Sequence, residues 1–356
     1  MAGLTGRRTD QNRAGRPSLC RPVHAALESM AEIAPAAATI DASVIVCTYN
    51  RAESLPRTLH SLKSQQVRDG IDWEVLVVDN NSTDGTRHVV ENFMPTFPRL
   101  RYGFEAAQGL SHARNRGLTR ARGRIILFTD DDVAPEADWL QRILDGMAAT
   151  GCDACGGFIA PDWQSSPPPW LTERFHGFLA VRAERTDTYE VEPGMLPPFG
   201  ANMAFRREVF DRLGAFDVSR GRKGDVLASG EDGEMFQRVL ESGGRVMFFG
   251  DARVRHTVES FRLTKRYFRR WRYQTSRNLA QTRGLPGRRR ILGVPPYLVG
   301  QLLRSVARAA AARVTAPADE AFLKEMLVWH FLGAIEGLWR SRKSPAMPAS
   351  NTRTAS

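Results

Sequence analysis

Nowhere in the 356 residues does a run long enough to cross a bilayer pass without a charged side chain, so the sequence offers no transmembrane helix. The N-terminal stretch carries Arg7, Arg8, Arg13 and Arg16 but no apolar run, which argues against a secretory signal. Cysteine is scarce: Cys20, Cys47, Cys152 and Cys155 are too few for a disulfide framework in a chain this long. The expected setting is a reducing compartment, the cytoplasm. Cys152 and Cys155 have the C-x-x-C spacing, yet no second pair completes a zinc site, and they read as small buried residues. No Gly-x-Gly-x-x-Gly follows the first strand, which excludes the usual dinucleotide-dependent dehydrogenase. Nor is Tyr49-Asn-Arg-Ala-Glu53 the glycine-rich, lysine-bearing phosphate loop expected for nucleotidyl transfer. There is no internal repeat.

What is present in excess is positive charge. A formal net charge of +11 points to a polyanionic partner: a phosphorylated ligand, an anionic membrane surface or nucleic acid. Residues 1–41 are rich in Arg, Ala, Gly and Pro and read as a flexible basic arm, with a short helix around 24–33. Order starts near Ser43. Buried-type strands are predicted at 43–50, 73–79, 100–104 and 125–129, separated by helices at 53–66, 86–93 and 109–120. Strand and helix alternating over short loops is the mark of a doubly wound, mainly parallel α/β sheet with helices on both faces. Further on, a helix is expected from Trp139, strands at 154–160, 199–205 and 245–249, and a helix at 232–242. Residues 161–198, with Pro167-Pro-Pro169 and several aromatics, read as a lid or binding loop. Residues 217–229 are glycine-rich and basic, and read as mobile.

The chemistry gathers at Asp130, Asp131 and Asp132, which follow the buried run Ile125–Thr129 directly. Like charges at a strand end repel, so a cation should offset them. Open α/β sheets bind ligands at such ends. A divalent metal holding a phosphorylated substrate is one reading; a solvated acidic turn is the other. Mg²⁺ or Mn²⁺ takes one or two carboxylates plus phosphate oxygens and water, and Asp130 and Asp132 can supply the carboxylates.

Asp130-Asp-Asp132 resembles the Asp-x-Asp motif of glycosyltransferases with the nucleotide-sugar-binding fold known as GT-A. Val44-Ile-Val-Cys-Thr-Tyr-Asn-Arg51, Val77-Val-Asp-Asn-Asn-Ser-Thr-Asp-Gly85 and Ser111-His-Ala-Arg-Asn-Arg-Gly117 resemble glycosyltransferase family 2 in order and spacing. Gly200-Ala-Asn-Met-Ala-Phe-Arg206 and Gly230-Glu-Asp-Gly-Glu234 resemble its acceptor-side motifs. The resemblance covers about 42–260 and implies an inverting, metal-dependent enzyme. Such an enzyme would move a sugar from a UDP-, dTDP- or GDP-sugar to a hydroxyl of a glycan or lipid-linked acceptor, in polysaccharide or glycolipid assembly.

The resemblance also assigns residues. Thr48, Asn50 and Asp79 would hold the nucleoside, with Asn80 where a second acid is frequent; an amide oxygen there accepts a hydrogen bond without charge assistance. Turn and helix-cap duty is the competing reading for Asp79 and Asn80. Arg114 and Asn115 would lie beside the nucleotide, Asp130 and Asp131 by the sugar diphosphate, and His256 would complete the metal site, unless it is structural. In 232–242, Asp232, Met235, Phe236 and Val239 share a helical stripe that should face the core. Asp232, preceded by Glu231, is either an N-terminal cap or the general base for the acceptor hydroxyl. One base opposite one leaving diphosphate implies inversion.

The rest is basic. Between Arg253 and Arg313, Glu259 is the single acid. Region 261–343 reads as an amphipathic helical extension with helices near 297–314 and 321–339, and 344–356 as a disordered tail. Phe261, Tyr267, Phe268, Trp271 and Tyr273, interleaved with arginines, allow three readings: contact with anionic lipid at the inner face of the cell membrane, stacking on nucleic acid, or a solvated helix with core aromatics. The membrane reading ranks first because it suits a lipid-linked acceptor. The rival classes are a polyanion-binding protein on an inactive scaffold and a nucleotidyltransferase.

Overall fold

In the computed structural model, which describes residues 40–219, 230–283 and 290–341, the first crossover unit sets the pattern. β1 (Ile40–Thr48) and β2 (Trp73–Asp79) are parallel neighbours joined through α1 (Leu55–Lys63). β1 is covered on both sides: Val44 and Val46 enter one core, Ile45 the other. Its apolar residues therefore run together instead of alternating. α1 starts with a proline in its first turn, where the missing N–H has no intrahelical partner to lose. Leu55, Leu59 and Leu62 form its fully buried stripe, each contributing about 1.5–3 kcal/mol by leaving water. α2 (Thr86–Phe93), β3 (Leu100–Phe104), α3 (Leu110–Arg120) and β4 (Gly123–Asp130) complete a parallel half-sheet in the order β3-β2-β1-β4.

The second half is mixed. It contains β5 (Val133–Pro135), α4 (Trp139–Thr150), β6 (Ala154–Trp163), β7 (Tyr189–Glu190), β8 (Met203–Arg206), α5 (Arg207–Leu213), α6 (Glu231–Glu241) and β9 (Val246–Val258). β8 runs antiparallel between β4 and β6, β9 runs parallel to β6, and β5 and β7 pair antiparallel with β9. α1, α2 and α4 cover one face; α3, α5 and α6 cover the other. β9 is much longer than the strand expected at 245–249. Its pairing with β6 jumps from Gly157↔Phe249 to Phe158↔Arg253, so Gly250, Asp251 and Ala252 bulge out where the apolar pattern breaks. Beyond the bulge the strand resumes and carries His256 opposite Val133 and Pro161.

α7 (Lys265–Arg283), α8 (Pro296–Thr315) and α9 (Ala318–Ser341) form the helical extension. Residues 161–198, expected as a lid or binding loop, dock against it through 163–183. A 3-10 turn at Glu173–Leu179 buries Phe175 and Leu179 with Phe268, Phe322 and Met326 in a third core. The α7 aromatics are thus largely core residues: Tyr267 and Phe268 are buried, and Phe261 alone of the expected set is exposed. α9 crosses α7 closely at Gly333 and Gly337, where a Cβ would fall 2.3 Å from the Tyr273 carbonyl and 2.4 Å from that of Arg277. The helix expected at 24–33, most of the basic arm, residues 220–229 of the glycine-rich segment and the tail 344–356 lie outside the described residues.

Candidate active site

The chain winds outward from β1 through β2 to β3, then returns to place β4 on the other side of β1. A crevice must open at the carboxyl ends of β1 and β4, where the winding reverses. There a cleft of about 410 Å³ is lined by Thr48, Tyr49, Asn50 and Arg51 after β1, Asn80 after β2, Gln108, Leu110 and Ala113 at the start of α3, and the three aspartates after β4.

The acids are balanced partly by the chain itself. Arg51 lies with Nε 3.8 Å from Asp131 Oδ1, Nη2 3.8 Å from Asp132 Oδ2 and Nη1 2.9 Å from Glu259 Oε1. The sequence reading missed both Arg51 and Glu259. The signal was there: an arginine ending the first strand motif, and one acid in an otherwise basic stretch. His256 Nε2 lies 3.3 Å from Asp132 Oδ1 and 3.3 Å from Arg262 Nη1, while its Nδ1 is buried without a partner. Burial acts to raise the Asp132 carboxyl, but the charge and hydrogen bond of His256, with Arg262 and Arg51, hold it below the usual carboxylate range. Asp131 goes the other way, pushed up to about 7 by burial and by the Asp132 charge. Asp130 is raised for the same two reasons, opposed by Arg114 and His256.

The donor chemistry fits a hard divalent cation: a carboxylate oxygen and an imidazole nitrogen converge at Asp132 and His256. Among the described residues no three His, Cys, Asp or Glu side chains are gathered around one point. A metal there would draw its remaining ligands from Asp130, phosphate oxygens and water, as Mg²⁺ and Mn²⁺ commonly do.

Behind the cleft stands a second group. Arg114, 2% exposed, pairs its Nη1 with Glu231 Oε1 at 3.0 Å and lies over the rings of Phe216 and Phe128. Asp232 Oδ2 accepts the Gly200 N–H at 2.8 Å, and Oδ1 accepts the Gly233 N–H at 2.8 Å. A Cβ at Gly200 would sit 2.2 Å from Arg114 Nη2 and 3.2 Å from Asp232 Oδ2, so a side chain there would displace the Arg114 guanidinium. The expected stripe on α6 holds at Met235, Phe236 and Val239 and differs at its first position. Glu231, not Asp232, is buried with Met235, Phe236 and Val239, and Asp232 is partly exposed at the rim. Burial, then the Asp232 charge, pushes Glu231 up to about 7 against the pull of Arg114; its Oε2 has no hydrogen-bond partner.

Other expected residues also make contacts within the scaffold. Asp79 accepts hydrogen bonds from the Ser82 N–H and the Tyr102 hydroxyl, the turn duty that was the alternative. Asn80 lines the cleft, but its amide donates to the Glu105 and Ala107 carbonyls and its Oδ1 accepts the Gly109 N–H, fixing the start of α3. Asn115, expected beside the nucleotide, does not line the cleft; it clamps the backbone of Phe216 through both its N–H and its carbonyl, at 2.9 Å each. Asn50 takes φ +52, and its Oδ1 accepts the Thr83 N–H, so it ties the β1 and β2 ends together at the mouth of the cleft. Thr48 Oγ1 is buried beside Asp131, whose carboxyl it helps to hold down.

Comparison with known proteins agrees with this architecture. The model of glycosyl transferase family 2 matches residues 43–214. The glucosyl-dolichyl phosphate glucuronosyltransferase of Haloferax volcanii is 30% identical over 224 residues, 62% of this chain and 70% of that protein. The succinoglycan biosynthesis protein ExoM of Rhizobium meliloti is 32% identical over 239 residues, 65% and 73% of the two chains. Among solved structures, the mannosyltransferase PcManGT from Pyrobaculum calidifontis, in complex with GDP-Man and Mn²⁺, superposes with a TM-score of 0.55 over 87% of this chain and 90% of its own, at 23% identity. It shares the GT-A fold. With the cleft built inside the matched segment and two relatives aligned over most of their length, the chain belongs to glycosyltransferase family 2.

Proposed function

We propose that the protein is a metal-dependent, inverting glycosyltransferase that moves a sugar from a nucleoside diphosphate to an acceptor hydroxyl in polysaccharide or glycolipid assembly. The observation that carries this reading is the pairing of an Asp132–His256–Arg51 cluster at the cleft wall with a carboxylate, Asp232, pinned at the rim by two backbone amides. Asp132 and His256, with Asp130, would hold Mg²⁺ or Mn²⁺, which when bound offsets the charge of a diphosphate. Asp232 takes the proton from the acceptor hydroxyl. Its oxygens keep a free lone pair each, and the hydrogen bonds from Gly200 and Gly233 fix its aim. Glu231 and Arg114 position this rim from behind. A single base facing the sugar leads to inversion.

The donor would be a UDP-, dTDP- or GDP-sugar. The acceptor would be a glycan or a lipid-linked glycan, reached from the cytoplasm at the inner face of the membrane. Support comes from a relative named for transfer to a dolichyl phosphate-linked sugar and from a mannosyltransferase of the same fold solved with GDP-Man and Mn²⁺. Donor hydrolysis across a panel of nucleotide sugars, with Mn²⁺, Mg²⁺ or chelator, tests the proposal. At least one donor should turn over only with metal, and Asp132→Ala should abolish the metal response. Turnover that ignores chelator, or an unchanged metal response in that variant, overturns the metal assignment.

A further inference from the structure

α8 has two apolar faces, and the chain covers one. Leu298, Ser305, Ala309 and Ala312 are buried against the neighbouring helices. On the far side Val299, Leu303, Val306 and Val314 are 47, 66, 47 and 89% exposed. Together with exposed Ala310 they recur at i, i+4, i+7, i+11 and i+15, which makes one continuous stripe along the helix. The segment leading into α8 repeats the oddity. Ile291 and Leu292 are 67 and 65% exposed on a turn closed by two Ile291–Val294 backbone hydrogen bonds. Leu292 takes φ +51 and Gly293 φ +84. A bulky residue held in the left-handed region is strained, and here the strain presents an aliphatic side chain to solvent.

Charge selects the occupant of this surface. Between Glu259 and Asp319 the sequence has no acid. α8 adds exposed Arg304 and Arg308 on its remaining open arc, and Arg313, which pairs with Glu325 at 3.3 Å. A second copy would set arginine against arginine. Nucleic acid would call for a row of exposed stacking aromatics, whereas the stripe is aliphatic, Tyr297 is the single aromatic of α8 and Tyr267 and Phe268 of α7 are in the core. Among the described residues no helix is long and apolar enough to cross a membrane, so a lipid contact here lies on the surface.

We infer that the 291–292 turn and the outward stripe of α8 seat the protein on an anionic bilayer. The aliphatic side chains enter the headgroup–acyl boundary, and Arg304, on the flank of the stripe, reaches the headgroups. This names the surface behind the membrane-side part of the proposed function, but its evidence is independent of the cleft.

Sedimentation of the full chain with phosphatidylcholine vesicles, with and without phosphatidylglycerol, tests it. The protein should partition onto the anionic vesicles and come off with salt. Leu303→Ser with Val306→Ser should lower partitioning by about tenfold or more, and Arg304→Ala by about fivefold. Leu292→Asn, which suits the positive φ, should weaken binding without loss of thermal stability. Donor hydrolysis in solution should be unchanged in all of them. No partitioning of the wild type, or equal partitioning of the Leu303–Val306 double variant, overturns the inference. So does a wild-type dimer that the same double variant turns into monomer, because the stripe is then an interface between copies. Lost donor turnover with intact vesicle binding would instead defeat the catalytic reading alone.

Discussion

Replacing Asp232 by Asn separates chemistry from architecture. Both carboxylate oxygens now accept a backbone N–H at 2.8 Å, from Gly200 and from Gly233. Asparagine has one acceptor oxygen, so one of these donors would face an NH₂ group. Losing that bond costs about 1–3 kcal/mol where the group is buried, and less at this partly exposed rim. A positioned general base contributes about 10²–10⁴-fold to rate, or roughly 3–5.5 kcal/mol of transition-state stabilisation. The rate should therefore fall by much more than the fold weakens. The assay pairs single-turnover transfer with donor affinity by calorimetry and with a urea melt. Transfer should drop by at least about a hundredfold while donor affinity stays within about twofold. If transfer and donor affinity fall together, or transfer stays within about tenfold of the wild type, Asp232 is a cap and the base lies elsewhere.

Phe268→Ala should cost about 3–5 kcal/mol in equilibrium unfolding, because Phe268 is fully buried against Trp170, Phe175, Phe178 and Phe322; a loss below about 1 kcal/mol would mean the 161–198 segment does not depend on α7. Asn115→Ala should lower stability by about 1–3 kcal/mol by orphaning the Phe216 N–H and C=O, with donor KM unchanged; a raised donor KM would restore the nucleotide role. Glu231→Gln tests the pH dependence of stability. An acid held up to about 7 in the fold and near 4.5 when unfolded makes stability fall as pH rises from about 4.5 through 7, since the native state keeps the proton that the unfolded state has lost. The variant should flatten that fall, leaving the part due to Asp130 and Asp131; an unchanged profile would show Glu231 already ionised against Arg114.

Order along the chain was legible wherever one physical rule acted alone. The apolar runs of β1, β2 and β4, the leucine stripe of α1 and the acids closing β4 follow from period and charge, so the doubly wound half-sheet and the position of its cleft could be read from residues alone. Longer-range features could not. The bulge at Gly250–Ala252 hides the continuation of β9, and with it the strand that brings His256 to Asp132, because three residues off the apolar pattern look like a strand end until the partner strand shows them looped out. Asn80 and Asn115 carry amides suited to a ligand as well as to backbone; only the approach of Gly109 and Phe216, 29 and 101 residues away, spends them on scaffold. The acid triplet by itself demanded a cation, and the sequence could name the charge but not its bearer. Tertiary structure supplies Arg51 as one such cation, since pairing depends on which side chains the fold brings within about 4 Å and composition holds no record of that.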